Sequence, residues 1–302
     1  MAGEIAASAQ AAVTLFGIKE TAGETEMILT ALRRGQQLLE ARKVPAELVT
    51  KAGDPIAEIV RRTEESSYDL VVIGALHKGR YGPFSMSAKA YKIIKLIKPP
   101  VLIVVGNPSG IKRILVCSGG RGYIESAFEL IGKVAQGSGA LVSLFHVMPE
   151  PPAIYSKLRK LELDSNLVLN SNSELGRNLR REKQLLDALG VQTDIRLRQG
   201  FVLDEIVREI QREPYDLVVA GSSLSTGPLR TYVLGDVTRE IVNRAECSVL
   251  VARNAAAPRS LREILGEILH GFSFTAAPSV TPKQDTPISR ALRDSAPILG
   301  RR

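Results

Sequence analysis

Residues 200–219 read GFVLDEIVREIQREPYDLVV, and residues 53–72 read GDPIAEIVRRTEESSYDLVV. The leading glycine, the EIV triplet and the YDLVV run recur at an offset of 147. Working outward, VTLFGI at 13–18 resembles VSLFHV at 142–147 at an offset of 129, and VLIV at 101–104 matches VLVA at 249–252 at an offset of 148. Three matches in the same order read as one structural unit written twice. The changes of offset place 18 extra residues after the second strand of the second half, and one more in a later loop.

The second half sets the pattern of the unit. Short apolar runs at Ile114–Cys117, Leu141–Val147, Thr193–Leu197, Leu217–Ala220 and Val249–Val251 are strands. They alternate with helical periodicity at Ile124–Val134, Leu175–Leu189, Leu203–Ile210 and Val237–Arg244. Continuous Val/Ile/Leu runs, without polar alternation, indicate strands covered on both faces. Strictly alternating strand and helix then implies right-handed crossovers and an open, doubly wound parallel sheet in each half. The expected fold class is α/β, with two such domains in tandem at 1–106 and 111–253, joined through the turn-rich NPSG at 107–110. Subtracting 129 from Ile114 lands before Met1, so the first half has no counterpart to the strand ILVC, and Glu4–Gln10 is only the tail of its first helix. The first domain is expected to lack its first strand, through start-site choice or loss. Residues 254–302, rich in Ala, Pro, Ser and Thr, are expected to form a mostly disordered tail with one short helix at Leu261–Leu269.

Composition narrows the function classes. The chain of 302 residues suits two domains, and 44% apolar with 24% charged residues is ordinary for a globular protein. No apolar run approaches the ~20 residues a spanning helix needs, so direct membrane insertion is not expected. The N-terminus lacks a basic segment leading into an apolar one, and Cys117 and Cys247 sit inside apolar runs, as in a reducing compartment. A cytoplasmic protein is expected. The net charge of +8 is spread along helices with few aromatics interleaved, which argues for a solvated basic surface over nucleic-acid binding.

Four segments of the second half carry a family resemblance: ILVCSGG, a second strand ending LFHV, DEIVREIQREPYDLVVAGSS, and the closing VTREIVNRAECSVLVAR. Together they resemble a universal stress protein domain, and the first half is similar from Val13 to Gly106. The resemblance covers about Gly3 to Arg253 and implies a tandem member with an adenine nucleotide alpha hydrolase-like fold. It also implies a non-enzymatic stress-response or regulatory binding module. In such a chain two domains pack as an intrachain pseudo-dimer through their last strands, here Val101–Val105 and Val249–Val251, with a homodimer or a further protein partner as additional assemblies. Similar tandem domains occur fused to transporters, which makes a soluble regulatory partner of a membrane transporter a further alternative.

Some members of that family bind ATP through a Gly-x2-Gly-x9-Gly-(Ser/Thr) loop after the fourth strand, plus an Asp at the end of the first strand. Glycines there let backbone N–H groups approach phosphate oxygens at a helix N-terminus. In this chain the loop opens at Gly221, but Leu224 stands at the second glycine position. Leu234 stands at the third, with Gly235 one place late and Asp236 where a hydroxyl belongs. The acidic position of the first strand falls near Gly119, beside Ser118. The candidate nucleotide-binding residues are therefore Ser118, Gly119, Gly221, Ser222, Ser223, Gly227, Gly235 and Thr238. ATP is the cofactor the resemblance would supply, and the departures at Leu224 and Asp236 leave its binding open. In the first half Gly74 starts a loop in which His77 replaces a glycine, with Lys78, Arg80 and Ser87 as the groups able to meet an anion. His77, His146 and His270 have no metal-ligand spacing, and GSSLS is not the Gly-x-Ser-x-Gly elbow of hydrolases. No catalytic or metal site is expected.

Overall fold

The computed structural model describes residues 1–74, 88–106, 110–119, 125–148, 165–224, 232–233 and 236–253. The expected tail and its helix at Leu261–Leu269 lie outside them.

The first half runs α1 (Ala2–Ser8), β1 (Val13–Lys19), α2 (Thr25–Glu40), β2 (Ala46–Ala52), α3 (Pro55–Glu65), β3 (Val71–Ile73), α4 (Ala88–Leu96) and β4 (Val101–Ile103). The second runs β5 (Arg113–Cys117), α5 (Glu125–Ser138), β6 (Leu141–Met148), α6 (Ser165–Asn170), α7 (Glu174–Ala188), β7 (Thr193–Gln199), α8 (Val202–Arg212), β8 (Leu217–Leu224), β9 (Tyr232–Val233), α9 (Asp236–Arg244) and β10 (Ser248–Arg253). Apolar strands and periodic helices fall where the sequence pattern puts them. Strand and helix largely alternate because each strand needs helical cover on both faces; α6-α7, β4-β5 and β8-β9 are the exceptions.

The two halves share one 8-stranded sheet in the order β3-β4-β10-β8-β5-β6-β7, with β9 added to β8, while β1 and β2 form a separate parallel pair. Within the second half, β10-β8, β8-β5, β5-β6 and β6-β7 are all parallel. The halves meet where β4 pairs antiparallel with β10, in the register Val101↔Val251, Leu102↔Leu250, Ile103↔Val249. At the offset of 148, Leu102 is paired with its own repeat counterpart. Self-pairing of this kind is what a two-fold axis imposes.

Two other contacts lie on that axis. On one face, Gly137 of α5 meets its counterpart Ser8 of α1 so closely that a Cβ on Gly137 would sit 2.3 Å from that of Ser8. On the other face, the Arg239 guanidinium of α9 lies 5.6 Å from the ring of its counterpart Tyr91 on α4. Around the axis Ile5, Leu70, Leu102, Leu130, Ile131, Val134, Leu217 and Leu250 enclose a small apolar cavity of about 10 Å³. The buried Arg253 crosses the interface, donating from Nε to the Pro99 carbonyl at 3.3 Å and from a terminal nitrogen to the Ile94 carbonyl. The Val105 amide donates to Ser248 Oγ at 3.2 Å.

Two sequence features of the repeat acquire causes. Gly53 and Gly200 both hold positive φ, 146° and 151°, at the turn from strand to helix. A Cβ at Gly200 would also lie 3.2 Å from Glu205, and the same is true at 3.3 Å for Gly53 and Glu58. In the YDLVV run, Asp216 accepts from the Lys112 and Arg113 amides at 2.7 and 3.0 Å, fixing the start of β5.

Three features depart from the sequence reading. The strand starting at Leu217 does not stop at Ala220: β10 pairs with it as far as Ser222, and β9 then pairs with Ser223 and Leu224. Pairing with these two strands extends β8 where composition alone suggested a loop. The short helix α6 lies in the insertion of the second half, where no periodicity marked it. The sheet of the first half is divided, because no described residue supplies a strand between β1 and β3.

Candidate functional site

Ligands of open α/β sheets bind outside the carboxyl ends of the strands where the order reverses. In the second half that point lies between β5, which leads to β6 on one side, and β8 on the other. The β5-β8 pairing ends at Val116↔Val219, so the two strands part just before Ser118 and Gly221. Among the described residues, a Cβ built on Gly119 or on Gly221 would meet nothing within 4 Å.

Polar groups around this crevice are tied to each other. Ser118 is buried; its amide donates to the Phe145 carbonyl at 2.9 Å, and its hydroxyl donates to Glu182 Oε1 at 3.0 Å. His146 on β6 donates from Nδ1 to the Ser118 carbonyl at 2.8 Å, a direction fixed because a carbonyl can only accept. The bond gives His146 a structural role, tying β6 to the end of β5. Thr238, in the first turn of α9, is buried, and its hydroxyl donates to the Gly221 carbonyl at 2.7 Å. That bond fastens the helix to the strand and uses the donor that the sequence offered to an anion.

Glu182 was not identified from the sequence. It is 2% exposed and lies on α7, between the buried Leu179 and Leu186. The signal was legible: a carboxylate three residues after one leucine and four before the next sits on the apolar stripe of an amphipathic helix. Its effect is to bring an acidic group beside the end of the first strand of the unit, near Gly119, where the resemblance expects an Asp that the sequence itself does not supply there.

Ser222 and Ser223 lie in β8, opposite Arg253 and Val233 respectively. Gly227 and Gly235 lie outside the described residues, as do His270 and the first-half loop residues His77, Lys78, Arg80 and Ser87. Ser118, Gly119, Gly221 and Thr238 are thus brought together at one crevice, with Ser222 and Ser223 continuing the strand beyond it. At the end of β5, burial pushes the Cys117 thiol up to about 12, which disfavours the reactive thiolate at neutral pH. Among the described residues no group of His, Cys, Asp or Glu has the arrangement of a metal site, and no helix is long and apolar enough to cross a membrane.

A second polar cluster on β7 and α8 is structural. Glu209, 1% exposed, accepts from Arg196 at 2.7 Å and from the Tyr215 hydroxyl at 3.0 Å, with Arg198 at 3.5 Å. Arg196 is also bonded to Asp194 at 2.9 Å. Burial disfavours the charge on Arg196, but its bonds to Asp194 and Glu209 outweigh that and hold its pKa above the ordinary arginine value.

The fold and crevice define a class: two doubly wound α/β units in one chain, paired about a pseudo-two-fold axis through their last strands. The Universal stress protein family matches residues 5–105 and 110–253, and the chain belongs to that family. A universal stress protein of Methanocaldococcus jannaschii is 30% identical over 92 residues, 30% of this chain and 52% of that protein. The chain thus spans about half the length of that curated relative. The structure of a universal stress protein from Archaeoglobus fulgidus has a TM-score of 0.58 at 17% identity, covering 84% of this chain and 93% of that one. A functionally unknown protein from Pseudomonas aeruginosa has a TM-score of 0.61 at 16% identity, covering 84% and 86%. At these identities the likeness concerns the fold.

Proposed function

We propose that the chain is a non-enzymatic, cytoplasmic binding module of the stress response, acting through protein contacts. Its working units would be the two domains 1–106 and 111–253, with 254–302 as a tail. The observation that supports this reading is the internal use of the polar groups at the switch point. Ser118 gives its hydroxyl to Glu182 and Thr238 gives its hydroxyl to Gly221, so the donors that would meet a phosphate are engaged. A buried carboxylate at the same crevice further disfavours an anion there. The test is thermal unfolding of the full chain with and without Mg²⁺-ATP at about 1 mM, a concentration that would reveal binding tighter than about −4 kcal/mol. No shift in Tm is expected; a shift that disappears in Gly221→Val would replace this reading with a nucleotide-binding one.

That second reading has one observation in its favour. Room beside Gly119 and Gly221 among the described residues, with the Glu182 carboxylate nearby, suits the hydroxyls of a ribose better than it suits phosphates. An adenine nucleotide held this way would lose affinity in Glu182→Gln, whereas phosphate-led binding would gain from removal of the charge. The transporter-partner reading rests on the resemblance alone, and its test is whether residues 261–269 are required to retain a partner.

A further inference from the structure

We propose that the outer surface of α4, with Arg239 of the adjoining α9, is a docking strip for a narrow acidic segment of another protein. The inference rests on the reading of the chain as a module that acts through protein contacts, and it names the chemistry of one partner. Helices α3, α4, α8 and α9 cover one face of the shared sheet, since Ile59, Ile94, Ile206 and Ile241 pack into the same core. Within α4 (AKAYKIIKL), Ala90, Ile93 and Ile94 are buried, and the helix holds three lysines and no Asp or Glu. Helical spacing sets Lys92 and Lys95 one turn apart on the side away from those buried residues. Leu96, 44% exposed, lies one turn from Lys92, and the exposed Lys98 follows just beyond the helix.

These cations lack the partners that helix cations find elsewhere. Lys133 meets Glu129, Lys183 meets Asp187 and Arg244 meets Glu240, each four residues away, at 2.8 to 3.0 Å. On α4 Lys89 reaches Glu20 at 2.7 Å, but Lys92, Lys95 and Lys98 have no carboxylate partner among the described residues. The repeat makes the change explicit: at the offset of 148, Glu240, Asn243 and Glu246 of the second half become Lys92, Lys95 and Lys98 in the first. Two cations also converge on one ring. Lys95 Nζ lies 5.4 Å from the centre of the Tyr91 ring, and the Arg239 guanidinium lies 5.6 Å from it. Each is attracted by the ring, yet the two repel each other. A carboxylate set beside Tyr91 would relieve that repulsion, and the planar fork of Arg239 suits a carboxylate through two hydrogen bonds. Residues 75–87 and 225–235, which lead into α4 and α9, contain no Asp or Glu to fill that place.

The width of the strip selects the class of partner. α3 packs beside α4 and exposes Glu64 and Glu65, and the exposed Glu246 follows α9. A broad anionic surface such as a bilayer would meet these carboxylates together with the lysines. A single acidic segment laid along α4 meets the cations and avoids the flanks, and an apolar residue within it would cover Leu96. Tyr91 is the one aromatic side chain of α4, and α9 has none, which leaves no row of stacking platforms for a single-stranded nucleic acid.

The probe is a dye-labelled peptide of repeating Glu-Glu-Leu-Ala units, about 14 residues long to allow three to four helical turns, followed by fluorescence anisotropy as the full chain is added. Saturable binding with a Kd of about 100 μM or tighter is expected at low salt. It should weaken several-fold at about 0.3 M salt, because exposed charges are screened. A peptide with Gln for every Glu should bind at least about tenfold more weakly. The double variant Lys92→Gln/Lys95→Gln should lose about tenfold or more in affinity at unchanged Tm. Lys133→Gln/Lys183→Gln removes the same charge from α5 and α7, which pack on the opposite face, and should bind as the parent chain does. Three results would overturn the proposal: no binding up to about 1 mM, equal losses in the two double variants, or equal binding of the Gln peptide. Tighter binding of phosphatidylserine vesicles or of oligo-dT that depends on Lys92 and Lys95 would also overturn it, in favour of a membrane or a nucleic acid. So would self-association of the chain that is lost in Lys92→Gln/Lys95→Gln, in favour of a second copy. The Mg²⁺-ATP melt reads the crevice and this titration reads α4, so the two readings fail separately.

Discussion

The two halves descend from one pattern but are not equally finished. In the second, β8 from Leu217 to Ala220 and all of β10 are buried, and β5 joins them to β6 and β7, giving five parallel strands in one sheet. In the first, the same apolar runs yield two separate pairs, one of them attached to the second half through β4-β10. The difference teaches that apolar composition sets which segments become strands, whereas burial depends on whether a neighbour is present to cover them. The first half is stabilised from outside: α4, β4 and the helix α1 pack into the cores on either face of the shared sheet.

The strongest way to break this comparison is to separate the halves. Leu250→Asp places a carboxylate at the centre of the two-fold contact, where Leu250 is 3% exposed and Leu102 fully buried. A loss above about 4 kcal/mol is expected, because an unpaired charge is forced into an apolar site. Urea denaturation followed by circular dichroism would show the native state lost or the transition broadened into two steps. An unchanged, single transition would mean that the halves do not depend on β4-β10.

Charge networks differ next. Glu209→Ala leaves Arg196 without its buried acceptor and should destabilise by about 3 kcal/mol. The counterpart position carries Arg62, which donates to the Tyr68 hydroxyl at 2.7 Å near the surface, and Arg62→Ala should change stability by about 1 kcal/mol or less. Equal losses in the two variants would remove the contrast.

Burial makes a cleaner pair. Val219→Ala should destabilise by about 2 kcal/mol through lost contacts and a residual cavity. Val72→Ala, the same change at the same place in the repeat but on the open edge, should alter stability by about 0.5 kcal/mol or less. The urea midpoints of the two variants measure this directly.

The smallest effect is a pH slope. Burial pushes the thiols of Cys117 and Cys247, which keep some surface, and the phenol of Tyr215 up to about 12. The unfolded chain releases these protons near 8.5 for cysteine and 10 for tyrosine. Between those values and about 12 the folded state holds more protons than the unfolded one, so stability falls as pH rises. The contribution is full below about pH 8.5 and is lost progressively toward pH 12. All three groups belong to the second half. Urea midpoints compared at pH 8 and about pH 10.5 should decrease, and Cys117→Ala should flatten the slope.

Much of the fold was legible because its signals are local. EIV and YDLVV recur, strand runs are continuous, and Gly53 and Gly200 mark equivalent turns that need positive φ. The seam was expected from the family resemblance, which implies pairing of the last strands VLIV and VLVA, and β4 and β10 do pair there. The candidate site was read less well. Ser118, Gly119, Gly221 and Thr238 do converge, but Glu182 comes from a helix 64 residues beyond Ser118, and no spacing rule connects the two. The extension of β8 was hidden for the same reason: Gly221 and its serines have loop composition, and only the adjacent β9 and β10 hold them extended.

Sequence alone thus determined the repeated α/β unit and its parallel strands. These follow from period, hydrophobic run and internal repetition, all of which a chain carries without needing its partners in space, while the pairing of last strands was an expectation that the family resemblance implied. Only the tertiary structure decided that the β4-β10 pairing joins the described strands β3 to β10 in one sheet, that Thr238 and Ser118 use their hydroxyls internally, and that β1 and β2 form a pair of their own among the described residues. Those outcomes depend on which groups meet across long sequence separations, where the competition between burial, hydrogen bonding and open edges is settled.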